Sequence, residues 1–487
     1  MTRPRSTFEF ALPPRLSPQG RGRWLRDKLR SAIQNGALRL GQSLPSTREL
    51  TKSLGLARGT IVSAIDHLKE EGYLKSIPGS GIFVADTLPE AFLSSRSIPT
   101  RAYPGNSTPI ARSEFAERLA PVSYYVKPRT IAFRVNLPAL DLFPTDLWTK
   151  VTTKQWRRAS TSMLLGGEPF GYLHLRKSLS NYLRTARSVI CEPEQILITS
   201  GIQEALDLST RILINSGDRV LMEDPGYQIA FANFQAAGAR IMPLTIDQEG
   251  AVPPLKEGIR ARLMYVTPGH QFPVGATMSY DRRIQILRYV RREGTCIFED
   301  DYDSEFRFSG GPLPALQSLD RKAQVIFAGS FNKTLFPSLR IGYMVVPPSL
   351  AAAFRMCKSI HSRHHPWVDQ AVLHAFIEEG HYIRHLRRMR KIYSERLEVL
   401  TEEVRKHLDG ALELAATESG LQTVAWLRTA QDAEEIAARA LEKNVDIVPL
   451  SRYCHRKQVA PGFQIGFAAV DAKSIARGVQ ILSRIIS

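Results

Sequence analysis

Five short apolar runs, residues 195–199, 219–223, 262–266, 296–299 and 325–328, alternate with helical stretches along the middle of this 487-residue chain. Strands separated by helices are joined by crossovers, so the alternation predicts an α/β layer domain on a mainly parallel sheet. Beyond Pro347-Pro348 a long helical stretch, with residues 382–407 at its centre, leads into a last α+β region. The residues capable of chemistry gather where the strands end.

Lys333 is the clearest of these. Residues 324–329 read as a buried strand, and Ser330-Phe331-Asn332-Lys333 follows directly, with Arg340 a short way beyond. A lysine held in such a pocket has a lowered pKa and attacks an aldehyde. A hydroxyl and a fixed cation beside it hold a phosphate. Those are the needs of a lysine that carries pyridoxal 5′-phosphate (PLP), which makes Lys333 the candidate catalytic residue. Other strand ends would complete the pocket. Thr199-Ser200-Gly201-Ile202-Gln203 is a strand end, a glycine turn and a helix start. Free N–H groups at Gly201, Ile202 and Gln203 suit a phosphate, although taken alone this is equally an ordinary turn. Glu223-Asp224-Pro225-Gly226-Tyr227 presents an aromatic for stacking on a pyridine, or is a packing turn. In Glu299-Asp300-Asp301-Tyr302-Asp303, carboxylates at a strand end need a cation, and a protonated pyridine nitrogen is one. A solvated acidic loop or a metal site are the alternatives; with no histidine cluster in sequence, no metal is expected.

The N-terminal part differs in kind. Residues 1–85 hold 14 Lys/Arg against 6 Asp/Glu, in a chain of formal net charge +18. Such an excess attracts polyanions. A helix from about Arg23 carries Trp24, Leu25, Leu29 and Ile33 along one face. Ser46-Thr47-Arg48-Glu49 is a capping box for a short helix that Gly55 stops. A further helix runs from near Ala57 to Glu71 and buries Ile61, Ile65 and Leu68; a hairpin follows around Pro78-Gly79-Ser80-Gly81. This order is a winged helix-turn-helix, whose second helix of the motif enters the DNA major groove by its N-terminal end. Arg58 then reaches a phosphate or a guanine edge, Thr60 and Ser63 are short donors, Arg48 clamps the backbone, and Ser80 sits at the wing tip. A small protein-interaction module is the alternative.

Residues 15–86 are assigned to this domain and 131–487 to the globular body. Residues 87–130, with six prolines and a short helix at 112–119, form the linker. No uncharged apolar run of about 18 residues suggests a membrane span. Cys191, Cys296, Cys357 and Cys454 form no Cys-x-x-Cys pair and suit a reducing cytoplasm.

Residues 20–85, from Leu44-Pro45-Ser46-Thr47-Arg48-Glu49-Leu50 to Gly81-Ile82-Phe83-Val84, resemble the GntR family of bacterial regulators, with Ala57 where that family often has serine. The strand-end segments around Lys333 resemble the fold type I PLP-dependent aminotransferases over about 131–487. That resemblance implies that Tyr227 stacks on the cofactor ring, Asp300 meets its nitrogen, and Tyr302 meets its hydroxyl. Ser330 and Arg340 would hold the phosphate. The family's usual spacing would point to Glu299, but Asp300 is the preferred residue, and His270 or Gln271 stands where the family has a ring-side asparagine. A GntR-like head on such a body resembles the MocR subfamily. Phe143-Pro144 with Trp148, and Gly171-Tyr172-Leu173 with Leu175-Arg176, extend the match. It implies a bacterial, cytoplasmic, homodimeric transcriptional regulator that binds a double-stranded DNA operator and senses PLP or a PLP–amine adduct. An active aminotransferase with an appended DNA-binding domain is the alternative. Three departures weaken transamination and leave PLP binding intact. Gln464 replaces the arginine that grips a substrate carboxylate, Gly166 replaces a tyrosine that reaches the partner's phosphate, and Asn332 replaces a serine. Gln464 predicts an effector with a neutral or non-carboxylate end, or PLP alone.

Overall fold

The computed structural model describes residues 18–89, 110–119, 130–254, 258–308, 310–311, 313–322, 324–456 and 459–486. The chain divides into two compact units, Met1–Ile110 and Ala111–Ser487.

The first unit is three helices and a hairpin: α1 (Pro18–Gln34), α2 (Thr47–Leu54), α3 (Arg58–Glu70), β1 (Leu74–Ile77) and β2 (Gly81–Val84). Leu25, Leu29 and Ile33 of α1, Leu50 and Leu54 of α2, and Ile61, Ile65 and Leu68 of α3 share one core with Leu74 and Val84. Local chemistry sets the ends. The Glu49 N–H donates to Ser46 Oγ at 3.2 Å and the Ser46 N–H to Glu49 Oε2 at 2.9 Å, a complete capping box. Gly55, at φ +60°, closes α2 in the left-handed conformation. Ala57 begins α3 with no side-chain cap. The Arg30 guanidinium forks onto Glu71 at 2.6 and 2.7 Å, tying α1 to the far end of α3.

The second unit is built on an eight-stranded sheet of order β3-β10-β9-β8-β7-β4-β5-β6. Its strands are β3 (Ile196–Thr199), β4 (Arg219–Asp224), β5 (Arg240–Asp247), β6 (Gly250–Ala251), β7 (Leu263–Val266), β8 (Cys296–Asp301), β9 (Val325–Ser330) and β10 (Gly342–Val345). β5, β4, β7, β8 and β9 run parallel. β10 is antiparallel to both β3 and β9, and β6 to β5. Alternate residues feed different cores. Val220, Met222, Tyr265, Phe298 and Ile326 pack with Ala205, Leu208 and Phe234 of the helices Ile202–Leu213 and Gln228–Ala236. On the other face Leu221, Met264, Ile297 and Val325 pack with Ile286 and Val290 of the helix Tyr280–Glu293. Two covered faces explain why the sequence runs are continuously apolar.

A four-stranded antiparallel sheet of order β11-β12-β14-β13 completes the body, with β11 (Leu412–Leu414), β12 (Gln422–Leu427), β13 (Val448–Pro449) and β14 (Gly462–Gly466). The long helix His381–His407 joins the two sheets through one core holding Phe327, Val345, Leu386, Tyr393, Ala425 and Ile465. Of the sequence-predicted linker, a short helix Glu114–Arg118 is seen; residues 90–109 and 120–129 lie outside the described residues. Among the described residues, no helix is long and apolar enough to cross a membrane.

Candidate functional site

The ends of β3, β8 and β9 bring the predicted residues of the body together. β9 ends at Ser330, and Lys333 follows in a tight turn, half-buried. Its Nζ donates to Asn136 Oδ1 at 2.7 Å and lies 3.9 Å from the centre of the Tyr302 ring. Burial lowers the Lys333 pKa to about 8, against the pull of Asp303 and Asp300. Neither Asn136 nor its neighbour Gln422 was singled out in the sequence, because they lie 197 and 89 residues from the lysine in chain order.

β8 supplies the acidic side. Strand alternation sends Glu299 and Asp300 to opposite faces. Glu299 accepts the Leu316 and Gln317 N–H groups at 2.7 and 2.9 Å, so it anchors a turn. Asp300 Oδ2 accepts from the Tyr265 hydroxyl at 2.6 Å, and Oδ1 is buried with no partner among the described residues. Burial raises the Asp300 pKa to about 7, opposed by the Tyr265 hydrogen bond and by Lys333. The Tyr302 hydroxyl meets His270 Nδ1 at 3.0 Å, and that nitrogen also contacts Asp303 at 3.0 Å. Gln271 is turned elsewhere: its Nε2 donates to the Pro225 and Phe272 carbonyls. Of the two ring-side candidates, His270 is the one that touches Tyr302. Tyr227 caps the helix Gln228–Ala236 and packs edge-on against Phe272 at 5.8 Å, which in turn packs against Tyr302 at 5.8 Å.

The turn expected from the sequence to meet a phosphate forms around Gly201, at φ +98°. A Cβ there would stand 3.3 Å from Asn332 Nδ2 and 3.6 Å from both terminal nitrogens of Arg340, so glycine lets the backbone approach that cation closely. Gly201 starts the helix Ile202–Leu213, whose first N–H groups at Ile202 and Gln203 are free of intrahelical partners. Arg340 is exposed, held in the left-handed region at φ +51°, and donates to Gln203 Oε1 at 3.4 Å. Ser330 Oγ accepts the Asn332 N–H at 3.2 Å.

A buried ion pair behind this cup was not legible beforehand. Glu204 accepts the Ser200 N–H and the Lys358 ammonium, both at 2.6 Å, and Lys358 is fully buried. Burial works against the Glu204 carboxylate, yet Lys358 and Ser362 hold its pKa below the usual range. His365 approaches Ser200 Oγ at 3.4 Å, and burial lowers its pKa to about 4, leaving it neutral.

In the first unit, Arg48, Arg58, Ser63 and Ser80 are exposed. Thr60 is half-buried, its methyl lying against Gly22 of α1. Val62 of α3 is 37 % exposed. Gly79 and Gly81, at φ +76° and +110°, shape the wing tip around Ser80.

Residues 131–482 match the model of the family "Aminotransferase class I and II", and residues 23–84 that of "Bacterial regulatory proteins, gntR family". The chain is 36% identical over 460 residues to the "Probable rhizopine catabolism regulatory protein MocR" of Rhizobium meliloti, covering 94% of this chain and 92% of that one. It is 29% identical to the "HTH-type transcriptional regulator TauR" of Rhodobacter capsulatus, covering 96% of this chain and 98% of that one. Among solved structures it resembles the α-aminoadipate aminotransferase LysN of Thermus thermophilus, with a TM-score of 0.67 at 28% identity, over 77% of this chain and 94% of that one.

The Asp300 geometry has a thermodynamic signature. An acid whose folded pKa is raised to about 7 contributes stability that is full below the ordinary carboxylate value near 4 and is lost as pH rises through 7. Without PLP, Asp300→Asn should therefore melt progressively higher than wild type as pH rises from 5 to 8, by at most about 1.4 kcal/mol per pH unit. With PLP the order should reverse if Asp300 meets the pyridine nitrogen as the sequence reading expects, because wild type alone then offers the cofactor an anion. A melting difference that ignores pH in the PLP-free protein would show that Asp300 is not held this way.

Proposed function

The chain belongs to the MocR subfamily of GntR regulators, with a class I and II aminotransferase body, and on that premise we propose that Lys333 carries PLP inside a DNA-binding sensor. One observation bears most of the weight: Asp300 Oδ1 is a buried carboxylate oxygen without a partner among the described residues, close enough to Lys333 for each charge to shift the other's pKa. A protonated pyridine nitrogen is the cation that such an oxygen needs.

Bound PLP supplies an aldehyde and an electron-withdrawing ring. The remaining work belongs to this chain. Lys333, with its pKa lowered to about 8, offers a neutral amine at mildly alkaline pH. Tyr302, steadied by His270 and Asp303, holds a proton beside the ring oxygen. Tyr227 covers one ring face. Gly201, Ile202 and Gln203 present N–H groups to the phosphate, with Arg340 and Ser330 completing the cup. Lys358 keeps Glu204 from adding an uncompensated negative charge beneath it.

The first unit reads DNA through Arg58 and Ser63 on α3, with Arg48 on the backbone, Thr60 at the α1 contact and Ser80 at the wing. PLP, or PLP joined to an amine, regulates by binding two conformations of the protein with different affinity. The body works as a homodimer, so two readers meet paired half-sites. The name of the MocR relative ties that protein to the control of rhizopine catabolism. Gln464 weighs against the alternative of an efficient aminotransferase.

Three outcomes test this reading. Arg58→Ala and Arg48→Ala should each weaken operator binding and lower the salt slope by about one unit per lost phosphate contact, without changing cofactor absorbance. Unchanged binding in both would remove the reader from this surface. Lys333→Ala should abolish the visible absorbance of bound PLP and its trapping by borohydride, and keep basal DNA affinity; a trapped lysine elsewhere would refute the assignment. Light scattering of the full chain at micromolar concentration should give the mass of a dimer, and a stable monomer would defeat the paired-site model.

A further inference from the structure

A cleft of about 370 Å³ opens along β4 and β5, and its walls include none of the residues assigned to the cofactor. That size lies within the range of small-molecule sites. Arg240 marks one end, where it pairs with Arg219 at the start of the two strands. Arg456 marks the other: its N–H and that of His455 each donate to Asp224, the last residue of β4, at 2.9 Å. From Arg240 to Thr245, which pairs with Asp224, the strand rises about 16 Å. Both arginines are exposed, and neither side chain has a hydrogen bond or ion pair among the described residues. The wall between them is apolar and flat. Met222, Ile241 and Pro243 form the sheet side, and opposite them Phe231 stacks on His455 with centroids 3.5 Å apart and planes 8° from parallel. Burial lowers the His455 pKa, so that ring is neutral at neutral pH, and its Nε2 is buried with no partner among the described residues.

The acids on the cleft floor do not answer these cations. Glu223 accepts the Thr267 N–H and hydroxyl at 3.1 and 2.6 Å and the Gln271 amide at 3.3 Å. Asp224 is taken by the two N–H groups of the 455–456 loop. Two guanidiniums at the ends of an apolar strip match two anionic groups held apart by a flat body. We propose that this cleft is a second small-molecule site, which takes an elongated apolar ligand bearing an anionic group at each end. A monoanion leaves one arginine unanswered and a neutral ligand leaves both. A cation meets like charge at either end. A compact dianion reaches one arginine only. The place bears on regulation. Asp224 opens the turn that ends in Tyr227, proposed above to cover the cofactor ring. At the other end, beside Ala239, a Cβ on Gly238 would stand 2.7 Å from Arg118 Nη1 of the linker helix Glu114–Arg118. An occupant lies between the two.

The test uses the full chain and three probes on one flat frame: biphenyl-4,4′-dicarboxylate, biphenyl-4-carboxylate and biphenyl-4,4′-dimethanol. Binding is read by titration calorimetry, with PLP present and without it. The dicarboxylate should bind about fivefold more tightly than the monocarboxylate, and that about fivefold more tightly than the diol, the upper range for one exposed ion pair at each step. Arg240→Gln and Arg456→Gln should each cost the dicarboxylate about fivefold and leave the diol unchanged. A merely structural role for either arginine would move all three probes alike, and so would count against the site. Phe231→Ala should weaken all three. The wild-type ranking decides by itself should a variant fail to fold. No binding of the dicarboxylate overturns the proposal, as does a diol that binds equally well or a dicarboxylate affinity that both arginine variants leave intact. Displacement of the dicarboxylate by PLP would put the probe at the Lys333 side and overturn it too. A chain that binds no PLP would defeat the cofactor reading alone, since the ranking of the probes does not depend on it.

Discussion

Five carboxylates stand within seven residues at the end of β8, Glu299, Asp300, Asp301, Asp303 and Glu305, and all five are buried. Each needs a different answer to the same electrostatic demand. Glu299 takes two backbone N–H groups, and Asp301 takes a forked Arg187 at 2.8 and 3.0 Å. Asp303 takes His270. Glu305 is approached by the Tyr182 hydroxyl at 3.3 Å, and burial raises its pKa to about 7. Asp300 keeps one oxygen unmatched. Four of the five are spent on tying the 315–317 turn, the helix Leu173–Arg187, the 268–275 loop and Tyr182 to the centre of the sheet.

The same economy of partners runs through the rest of the body. Lys358 is answered by Glu204, and that pair holds the Ser200 turn that leads into Gly201. Lys333 is answered by a neutral oxygen of Asn136 and by the face of Tyr302, which leaves its amine reactive. Gln464 is answered on one side only. Asn332 Oδ1 and His365 Nε2 are likewise buried without a partner among the described residues. A ligand that completes such a group stabilises only the arrangement that presents it, which is the requirement for a sensor.

Much of this was legible in the chain. The capping box at Ser46, the stop at Gly55 and the wing glycines depend on neighbours within a few residues, so sequence alone placed them to within a residue or two. The five apolar runs became strands because burial on both faces leaves no polar alternation to confuse the pattern. β10 was harder. It lies between β9 and β3 and runs against both, and its apolar stretch looks like any other; only the sheet order reveals its direction. β5 was not named, since a strand with the half-exposed burial of Arg240–Asp247 shows no clean period.

What the sequence determined by itself was the inventory: a lysine after a strand, an acidic strand end, a glycine turn before a helix, a basic capped head, and a glutamine where a charged clamp would stand. Those are local facts, fixed by backbone propensity and by the spacing of residue types. Tertiary structure alone decided which of two adjacent carboxylates faces the lysine, which of His270 and Gln271 reaches Tyr302, and which buried cation answers Glu204. Such choices join residues 17 to 154 positions apart or more. They are settled by strand alternation and by the rule that a buried charge takes the best partner within reach, wherever in the chain that partner lies.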